Sequence, residues 1–246
     1  MIAPDDTTLG DAEVLGLLGR GEVEPLGLLP RSSNYTFLAR VRDGQDELLA
    51  VYKPRAGEAP LGDFPEGTLY QREVAAYALA EALGWPRVPP TLVREGPHGI
   101  GSVQRFLPFD ASQHYFTMRD DPSHDETFRR TALFDVVTNN ADRKAGHCLL
   151  ADDGDLFFID HGVCFSDEPK LRTVIWEFAG DRVSPQALED LRRLAGHLAS
   201  GPLRGRLLEL LSPKEVEATQ RRLERLLTTG AFPQPGPDRP YPWPPV

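Results

Sequence analysis

A polar loop that leads into a short apolar hairpin, with a carboxylate at each end, constrains this chain more than any other feature. The stretch covers residues 139–162 and runs Asn-Asn-Ala-Asp-Arg-Lys-Ala-Gly-His-Cys-Leu-Leu, then an acidic turn, then Leu-Phe-Phe-Ile-Asp-His-Gly. Apolar runs at 148–150 and 156–159 predict two short strands that pair across the turn. Antiparallel pairing would bring Asp142 and Asp160 to the same end of the hairpin.

The two carboxylates suggest a site for metal and phosphate. Asn140 and His147 lie close to Asp142 in the sequence, and a polar group of this kind suits Mg²⁺ and nucleotide phosphates. The alternative interpretation is a set of acidic turns with no chemical role. We favour the site, because the apolar strands would bring Asp142 and Asp160 together.

The residues before this loop predict a small unit rich in strands. Strands at 35–41 and 48–53 would form a hairpin, and a helix would follow over 69–83. Two more strands are predicted at 88–93 and 100–107, so this half reads strand, strand, helix, strand, strand.

The rest of the chain predicts a mainly helical unit and a tail. Capping signals at Ser184 and Ser212, each followed by proline, mark the starts of two helices. The segment 232–246 is rich in proline, so we expect it to be extended or disordered. The predicted divisions are an N-terminal unit over 1–107, a C-terminal unit over 108–231 and this tail, in the α+β class.

Several residues of the strand-rich unit could hold a nucleotide. Lys53 stands at a strand end, where its ammonium group could bind phosphate oxygens. Glu73 on the next helix, or its rival Glu66 in the loop before it, could hold the lysine in place. Lys53 or Glu73 taken alone is more often a solvated surface charge. Ser33 and Asn34 lie in a polar turn that could cover phosphates. The segment 102–107 could offer backbone groups to an adenine edge, or be an ordinary connecting strand.

The charge balance excludes some classes of partner. The 246-residue chain has a formal net charge of -10, which argues against nucleic acid and against docking on an anionic membrane. No apolar stretch has the length of a membrane span, and the first residues do not resemble a signal peptide. Cys148 and Cys164 lack metal-ligand spacing and fit a reducing compartment. We expect a cytoplasmic protein without stable membrane insertion.

The order Lys, Glu, connector, Asn-x-Asp-Arg and Asp-x-Gly resembles the protein-kinase-like superfamily. The resemblance is to its phosphatidylinositol 3-/4-kinase-related and HipA-like branch, and also to an actinobacterial family related to phosphatidylinositol kinases. It covers roughly residues 34–162. It implies a two-lobed α+β fold, with a small strand-rich N-lobe and a mainly helical C-lobe. It also implies ATP and Mg²⁺ as cofactors, and an acceptor that is a protein, a small molecule or a lipid.

The resemblance implies a role for each matching residue. Lys53 would contact the nucleotide phosphates, and Glu73 would orient it. Asp142 would be the catalytic aspartate. Asp160, in Asp-His-Gly, would be the metal-binding aspartate of the Asp-x-Gly motif.

Three further residues follow from the same resemblance. Gln104 and Phe106 belong to the segment 103–106, which would be the hinge that binds the nucleotide. Arg143, beside the catalytic aspartate, would either pair with a carboxylate or contact the substrate.

The chain departs from the family pattern at two positions. Lys144 stands where the branch usually has histidine, and His147 stands where it has the metal-binding asparagine. Imidazole is a poor ligand for Mg²⁺, so Asn139 or Asn140 could compensate, or His147 could touch phosphate or relay a proton. His161 would either contact phosphate or pack in the core.

The leading hypothesis is an ATP- and Mg²⁺-dependent phosphotransferase of the kinase type. Because His147 replaces asparagine, a catalytically degenerate nucleotide-binding regulatory module and a nucleotidyl (AMP) transferase on the same fold stay open. A metal-dependent hydrolase has less support, since no histidine–carboxylate set has hydrolase spacing. The segments 55–68 and 110–126 flank the predicted cleft and are where we expect acceptor specificity.

Overall fold

The computed structural model describes residues 9–30 and 34–246. Its strands are β1 Glu22–Leu28, β2 Phe37–Asp43, β3 Asp46–Pro54, β4 Thr91–Gly96, β5 Gly99–Arg105, β6 Cys148–Leu150 and β7 Leu156–Phe158. Its α-helices are α1 Asp11–Arg20, α2 Leu69–Leu83, α3 Tyr115–Met118, α4 Asp125–Thr138, α5 Pro185–Ala199, α6 Pro202–Leu210 and α7 Pro213–Thr229. The predicted α+β class is confirmed.

The first five strands form one antiparallel sheet in the order β1-β2-β3-β5-β4. Side chains along β3 alternate between its faces, and Leu48 and Tyr52 are fully buried on one of them. Helix α1 covers that face through Val14 and Leu18. Lys53 follows Tyr52 directly, so the strand period turns it to the opposite side of the sheet.

Helix α2 packs between the sheet and helices α5 and α6. It covers the predicted helix residue for residue. Gly84 ends it with a φ of 87°, a left-handed conformation that glycine adopts at little cost. The helix is buried around most of its circumference, and Arg72 and Glu73 are among its buried residues. Two charged side chains are thereby fixed inside the molecule.

The helical half surrounds the larger apolar core. Both predicted N-caps are confirmed, since the hydroxyl of Ser184 accepts the N–H of Ala187 at 3.2 Å. Ser212 and Glu215 form a reciprocal capping box at the start of α7, with the Ser212 N–H donating to the Glu215 carboxylate at 2.9 Å. The predicted hairpin is present as β6 and β7.

Two strands differ from the sequence expectation. No strand was predicted at β1, because Pro25 and Gly27 interrupt its pattern; it forms by pairing with β2 around a β-bulge at those residues. The strand predicted from 88 begins instead at Thr91, because Pro89 and Pro90 have no N–H to donate to a ladder. The local sequence therefore contains no clear signal for β1 and predicts the start of β4 three residues too early.

The tail, residues 232–246, contains neither helix nor strand. It is nevertheless held against the helical half, where the N–H of Phe232 donates to the carbonyl of Asp181 at 3.0 Å. The N–H of Thr173 donates to the carbonyl of Pro240 at 3.1 Å. The tail was predicted to be extended or disordered, and this expectation and the boundaries drawn at 107 and 231 stay predictions.

Across residues 9–30 and 34–246, none of the helices combines the length and the apolar character that crossing a bilayer would require.

Candidate active site

The ammonium group of Lys53 joins the three elements that build the site. It donates to the Glu73 carboxylate on α2 and lies 3.0 Å from Oδ1 of Asp160, which follows β7. The second oxygen of Glu73 accepts the backbone N–H of His161 at 2.9 Å. The sequence predicted the Lys53–Glu73 pair, and the structure brings Asp160 to the same nitrogen.

The charges around Lys53 fix its protonation. Burial lowers the pKa of the ammonium group, but the carboxylates of Asp160 and Glu73 outweigh burial, and the net shift is upward. Lys53 is therefore a permanent cation in the cleft. It can serve as a phosphate anchor but not as a proton donor near neutral pH.

Asp160 is the carboxylate that the cleft exposes. Its side chain is 50% exposed, whereas that of Glu73 is 3% exposed. The positive charge of Lys53 lowers the pKa of Asp160 well below its usual range, against the opposing effect of burial. The backbone of Asp160 has a φ of 62°, a left-handed conformation that asparagine and aspartate tolerate better than most residues. Asp160 is thus an ionised carboxylate that contacts Lys53 and His147 and keeps half of its side-chain surface exposed.

His147 contacts Asp160 through one ring nitrogen and the loop backbone through the other. Its Nε2 lies 3.2 Å from Oδ2 of Asp160, and its Nδ1 accepts the N–H of Lys144 at 3.3 Å. Burial lowers its pKa to about 4, so the ring is neutral at pH 7. The neutral tautomer that satisfies both contacts carries its proton on Nε2 and donates it to Asp160. In this arrangement neither ring nitrogen offers a free lone pair to a metal ion.

Asp142 lies in the same loop, and its backbone N–H donates to the side chain of Asn140 at 2.9 Å. Its carboxylate pairs with Lys144 at 3.0 Å. Burial raises the pKa of Asp142; Lys144 opposes that shift and the charge of Asp160 adds to it. A raised pKa makes Asp142 a better proton acceptor near neutral pH than an ordinary aspartate.

A buried ion pair fixes the backbone path of the loop that carries Asp142. Arg143 is fully buried and donates to both oxygens of Asp135 on α4 at 3.1–3.2 Å. Asn140 donates to the same carboxylate at 3.0 Å, and Thr173 donates to it at 3.3 Å. Of the two predicted alternatives for Arg143, the structure has the carboxylate pair. Asn140 is likewise fully buried, and its role as a metal ligand stays a prediction.

Arg143 also contacts His161, with 2.7 Å between a guanidinium nitrogen and Nε2. The His161 ring is fully buried and meets Phe134 edge-on, with 5.7 Å between ring centroids. Burial, followed by the charge of Arg143, lowers the pKa of His161 well below its usual value. Its neutral ring packs in the core, which was one of the two predicted alternatives.

Of the other residues predicted to bind the nucleotide, those that the structure describes make hydrogen bonds within the protein. Ser33 lies outside the described residues. The side chain of Asn34 accepts a backbone N–H of the loop between β3 and α2 at 2.8 Å. The Gln104 amide is buried and donates to Thr91 at 2.8 Å, and the N–H of Phe106 donates to a β3 carbonyl at 2.9 Å. Their proposed contacts with a nucleotide stay predictions.

An ion pair that the sequence did not reveal anchors helix α2. Arg72 is 1% exposed, donates to Glu215 on α7 at 2.5 Å and donates to the carbonyl of Cys164 at 2.7 Å. Arg72 precedes Glu73 in the chain. The pair therefore holds the Glu73 end of the helix against the helical half of the molecule.

A cavity of about 470 Å³ lies beside the segment 55–68, the β3–α2 loop. Arg55, Glu58 and Glu66 line it together with apolar side chains that include Phe64. Phe64 belongs to a small buried cluster with Leu69 and Ala141, the residue before Asp142. This cluster joins the wall of the cavity to the loop that carries Asp142.

The side chains fit a magnesium–nucleotide complex better than a metal cage. In the part of the chain that the structure describes, no group of three or more His, Cys, Asp or Glu residues is arranged to hold a metal ion. Mg²⁺ usually binds through one or two carboxylates plus substrate phosphates and water. Asp160, with Asp142 close by, matches that requirement.

Two protein sequences are similar to this chain. Protein Rv2133c of Mycobacterium tuberculosis is 39% identical over 270 aligned positions, which cover 96% of each chain. Phosphatidylinositol 4-kinase gamma 4 of rice, Oryza sativa subsp. japonica, is 35% identical over 130 positions, covering 45% of this chain and 22% of the rice protein. No protein-family model matches the chain.

Solved structures share its architecture at low sequence identity. Hydra Fam20, solved with sugar, superposes with a TM-score of 0.56 and 14% identity, covering 91% of this chain and 90% of that one. The Golgi casein kinase with Mn and ADP bound superposes with a TM-score of 0.55 and 16% identity, covering 89% and 74%. These likenesses show a protein-kinase-like fold. Because Rv2133c of Mycobacterium tuberculosis matches this chain over almost its whole length, the chain belongs to the same protein family as Rv2133c.

Proposed function

We propose that this protein is an ATP- and Mg²⁺-dependent phosphotransferase. The observation that carries the proposal is the contact of Lys53 with both Glu73 and Asp160. That contact links a strand of the sheet, helix α2 and the Asp-His-Gly turn at a single cation. A strand lysine held by a helix glutamate, beside a metal-binding aspartate, is the arrangement that protein kinases use for phosphoryl transfer.

Each side chain has a task that its environment supports. Lys53, kept cationic, binds phosphate oxygens, while Glu73 holds it at the correct position. Asp142, with its raised pKa, accepts the proton of an acceptor hydroxyl. His147, as a neutral donor, orients the Asp160 carboxylate. In this proposal His147 fixes a metal ligand and is not one itself.

Asp160 would hold Mg²⁺, with Asp142 as the nearest further carboxylate. The ion would supply charge neutralisation at the phosphate oxygens. The Golgi casein kinase structure, which contains Mn and ADP, supports a metal–nucleotide complex on this fold. Since both His147 nitrogens are engaged, we propose fewer protein ligands to the metal than the family pattern provides.

The test is ADP formation from magnesium–ATP by the full chain and two variants. Asp142→Asn and Asp160→Asn should each lower the rate about 100-fold or more, because each removes a charged oxygen from the reacting site. Asparagine suits position 160 because it tolerates the left-handed backbone there. Asp152→Asn, in the exposed hairpin turn, is the matched control and should keep the wild-type rate. Wild-type turnover in both site variants would contradict the proposal.

The products separate the alternatives. ADP supports phosphoryl transfer, and covalently bound AMP supports nucleotidyl transfer instead. ATP that binds but stays intact supports the regulatory module, which is favoured by the single observation that His147 replaces a metal-binding asparagine. Binding is measured by calorimetry with Mg²⁺ and a non-hydrolysable ATP analogue.

We further propose that the cavity beside the β3–α2 loop receives part of the acceptor. Its volume of about 470 Å³ is in the range of small-molecule sites, and Phe64 connects it to the catalytic loop. Ala59→Trp, at an exposed position lining the cavity, should reduce transfer to an acceptor and spare acceptor-independent ATP hydrolysis. Equal loss of both activities would show that the cavity does not select the acceptor.

A further inference from the structure

The tail, residues 232–246, runs back along the helical half toward the loop that carries Asp142. From Phe232 it runs beside Gly180, whose N–H donates to the Phe232 carbonyl at 3.1 Å. It then reaches Trp176 and Thr173, whose N–H groups both donate to the carbonyl of Pro240, at 3.0 and 3.1 Å. It ends beside the loop that carries Asp142. A segment without helix or strand is thus attached at several successive points.

The final attachment is made to the catalytic loop itself. The N–H of Ala145 donates to the carbonyl of Pro245 at 2.8 Å. Ala145 is fully buried with the tail in place, so removing the tail takes away the acceptor of its N–H and uncovers that N–H. It lies three residues after Asp142 and two before His147, both of which we assign to the reaction.

Neighbouring backbone groups in the loop are satisfied by other partners. The N–H of Arg143 donates to the carbonyl of Arg172 at 3.0 Å, and the carbonyl of Arg143 accepts the N–H of Val174 at 3.1 Å. Thr173, between those two partners, uses its own N–H on the tail. The segment 172–174 therefore lies between the catalytic loop and the tail, and touches both.

The composition of the tail suits this task. Four of its last seven residues, 240–246, are prolines. Proline has no N–H but keeps its carbonyl, so the segment offers hydrogen-bond acceptors and has few N–H donors that need a partner. Proline also restricts the free chain, which lowers the entropy lost when the tail docks. Pro242 is buried, whereas Trp243 is 75% exposed and lies outside the contact.

We propose that tail residues 240–246 hold the catalytic loop in its working geometry, and that Trp176 is the positioning residue that secures them. The inference rests on the proposed phosphotransferase function. In the described part of the chain, the hydrogen bonds of the Lys53 and Glu73 side chains go to each other, Asp160 and His161 and not to the tail, so we expect the tail to act on the chemical step and not on nucleotide binding. A displacement of the loop by about 1 Å can cost on the order of 100-fold in rate.

The experiment cuts the tail after the whole chain has folded. A site for a specific protease is placed in the exposed stretch 234–237, and the rate of ADP formation from magnesium–ATP is measured before and after cleavage. We expect kcat to fall about tenfold or more with KM for ATP unchanged. A synthetic peptide of residues 239–246, added in excess, should restore kcat.

A point variant separates positioning from folding. Trp176→Phe keeps an aromatic ring but removes the indole N–H that donates to Pro240, and should lower kcat about fivefold, as loss of one hydrogen bond predicts. Asp238→Asn, at an exposed tail position before residues 240–246, is the control and should leave kcat unchanged. An unchanged or increased kcat after cleavage would overturn the inference, since the tail would then be idle or inhibitory.

Hydrogen exchange keeps the inference testable apart from activity. The amide of Ala145 should exchange faster after cleavage and slow again when the peptide is added. If the intact chain makes no ADP, the proposed function fails, and exchange alone then decides about the tail. An Ala145 amide that exchanges equally before and after cleavage would show that the tail does not hold the loop.

Discussion

Replacing His147 should change how the stability of the protein depends on pH. In the folded protein burial lowers the pKa of His147 to about 4, whereas an unperturbed imidazole in the unfolded chain titrates near 6.5. As pH falls, the unfolded chain therefore takes up this proton before the folded protein does. Protonation favours unfolding, so the stability contributed by the neutral ring is fully present above about pH 6.5 and is lost as pH falls toward 4.

The size of the effect follows from the same two pKa values. At pH 5 the unfolded imidazole is almost fully protonated and the folded one is mostly neutral, a difference of about 1.5 pH units or ~2 kcal/mol. The His147 side chain is only 12% exposed, so solvent screening is limited. Wild-type protein should lose about that free energy of unfolding through His147 between pH 8 and pH 5. His161 titrates in the same direction and adds its own loss.

The assay compares pH dependence and not absolute stability. Urea unfolding of wild type and His147→Asn is measured between pH 5 and pH 8, and the variant should lose ~2 kcal/mol less over that range. The remaining loss includes that of His161, which both proteins share. His197→Asn, on the exposed face of α5, should behave as wild type. Parallel curves for wild type and His147→Asn would refute the assignment of a buried, neutral imidazole.

Three further substitutions test the contacts around the site. Asp135→Asn leaves a buried arginine without its anion and should lower the free energy of unfolding, measured in urea, by ~3 kcal/mol. The exposed Asp125→Asn should lower it by less than ~1 kcal/mol. Similar losses in both variants would show that the buried pair contributes no more than a surface pair. Glu73→Gln should lower kcat about tenfold or more by releasing the strand lysine, and Glu81→Gln, exposed on the same helix, should not; equal rates would remove Glu73 from the mechanism. Glu215→Gln should reduce the free energy of unfolding by ~3 kcal/mol, and an unchanged melting temperature by calorimetry would contradict that role.

The part of the site that could be predicted depended on the order of residues along the chain and on local sequence patterns. Helix α2 has unbroken helical character and a terminal glycine, so its ends were predicted to the residue. The strand that carries Lys53 and the hairpin that ends at Asp160 have short apolar runs bounded by turns. The pairing of Lys53 with Glu73 was expected from the resemblance to kinases, whereas the contact of Asp160 with Lys53 was not predicted.

What the sequence could not provide depends on contacts between distant residues. Asp135 stands within an apolar helix, and nothing nearby indicates that it holds Arg143, Asn140 and Thr173 at once. Arg72 and Glu215 are 143 positions apart. The direction of the Asn140 side chain was also open, since a loop residue can face the cleft or the core. Asn140 is fully buried and contacts Asp135 and the N–H of Asp142, and its role as a metal ligand stays a prediction.

The buried contacts of Arg72 also limit how this protein could be recombined with others. A graft of the strand-rich half onto a different helical half would bring Arg72 to a place without the Glu215 carboxylate and the Cys164 carbonyl. An uncompensated buried guanidinium is among the more costly defects in a protein interior. A chimaera must therefore transfer both partners together, or replace Arg72 with an apolar residue of similar volume.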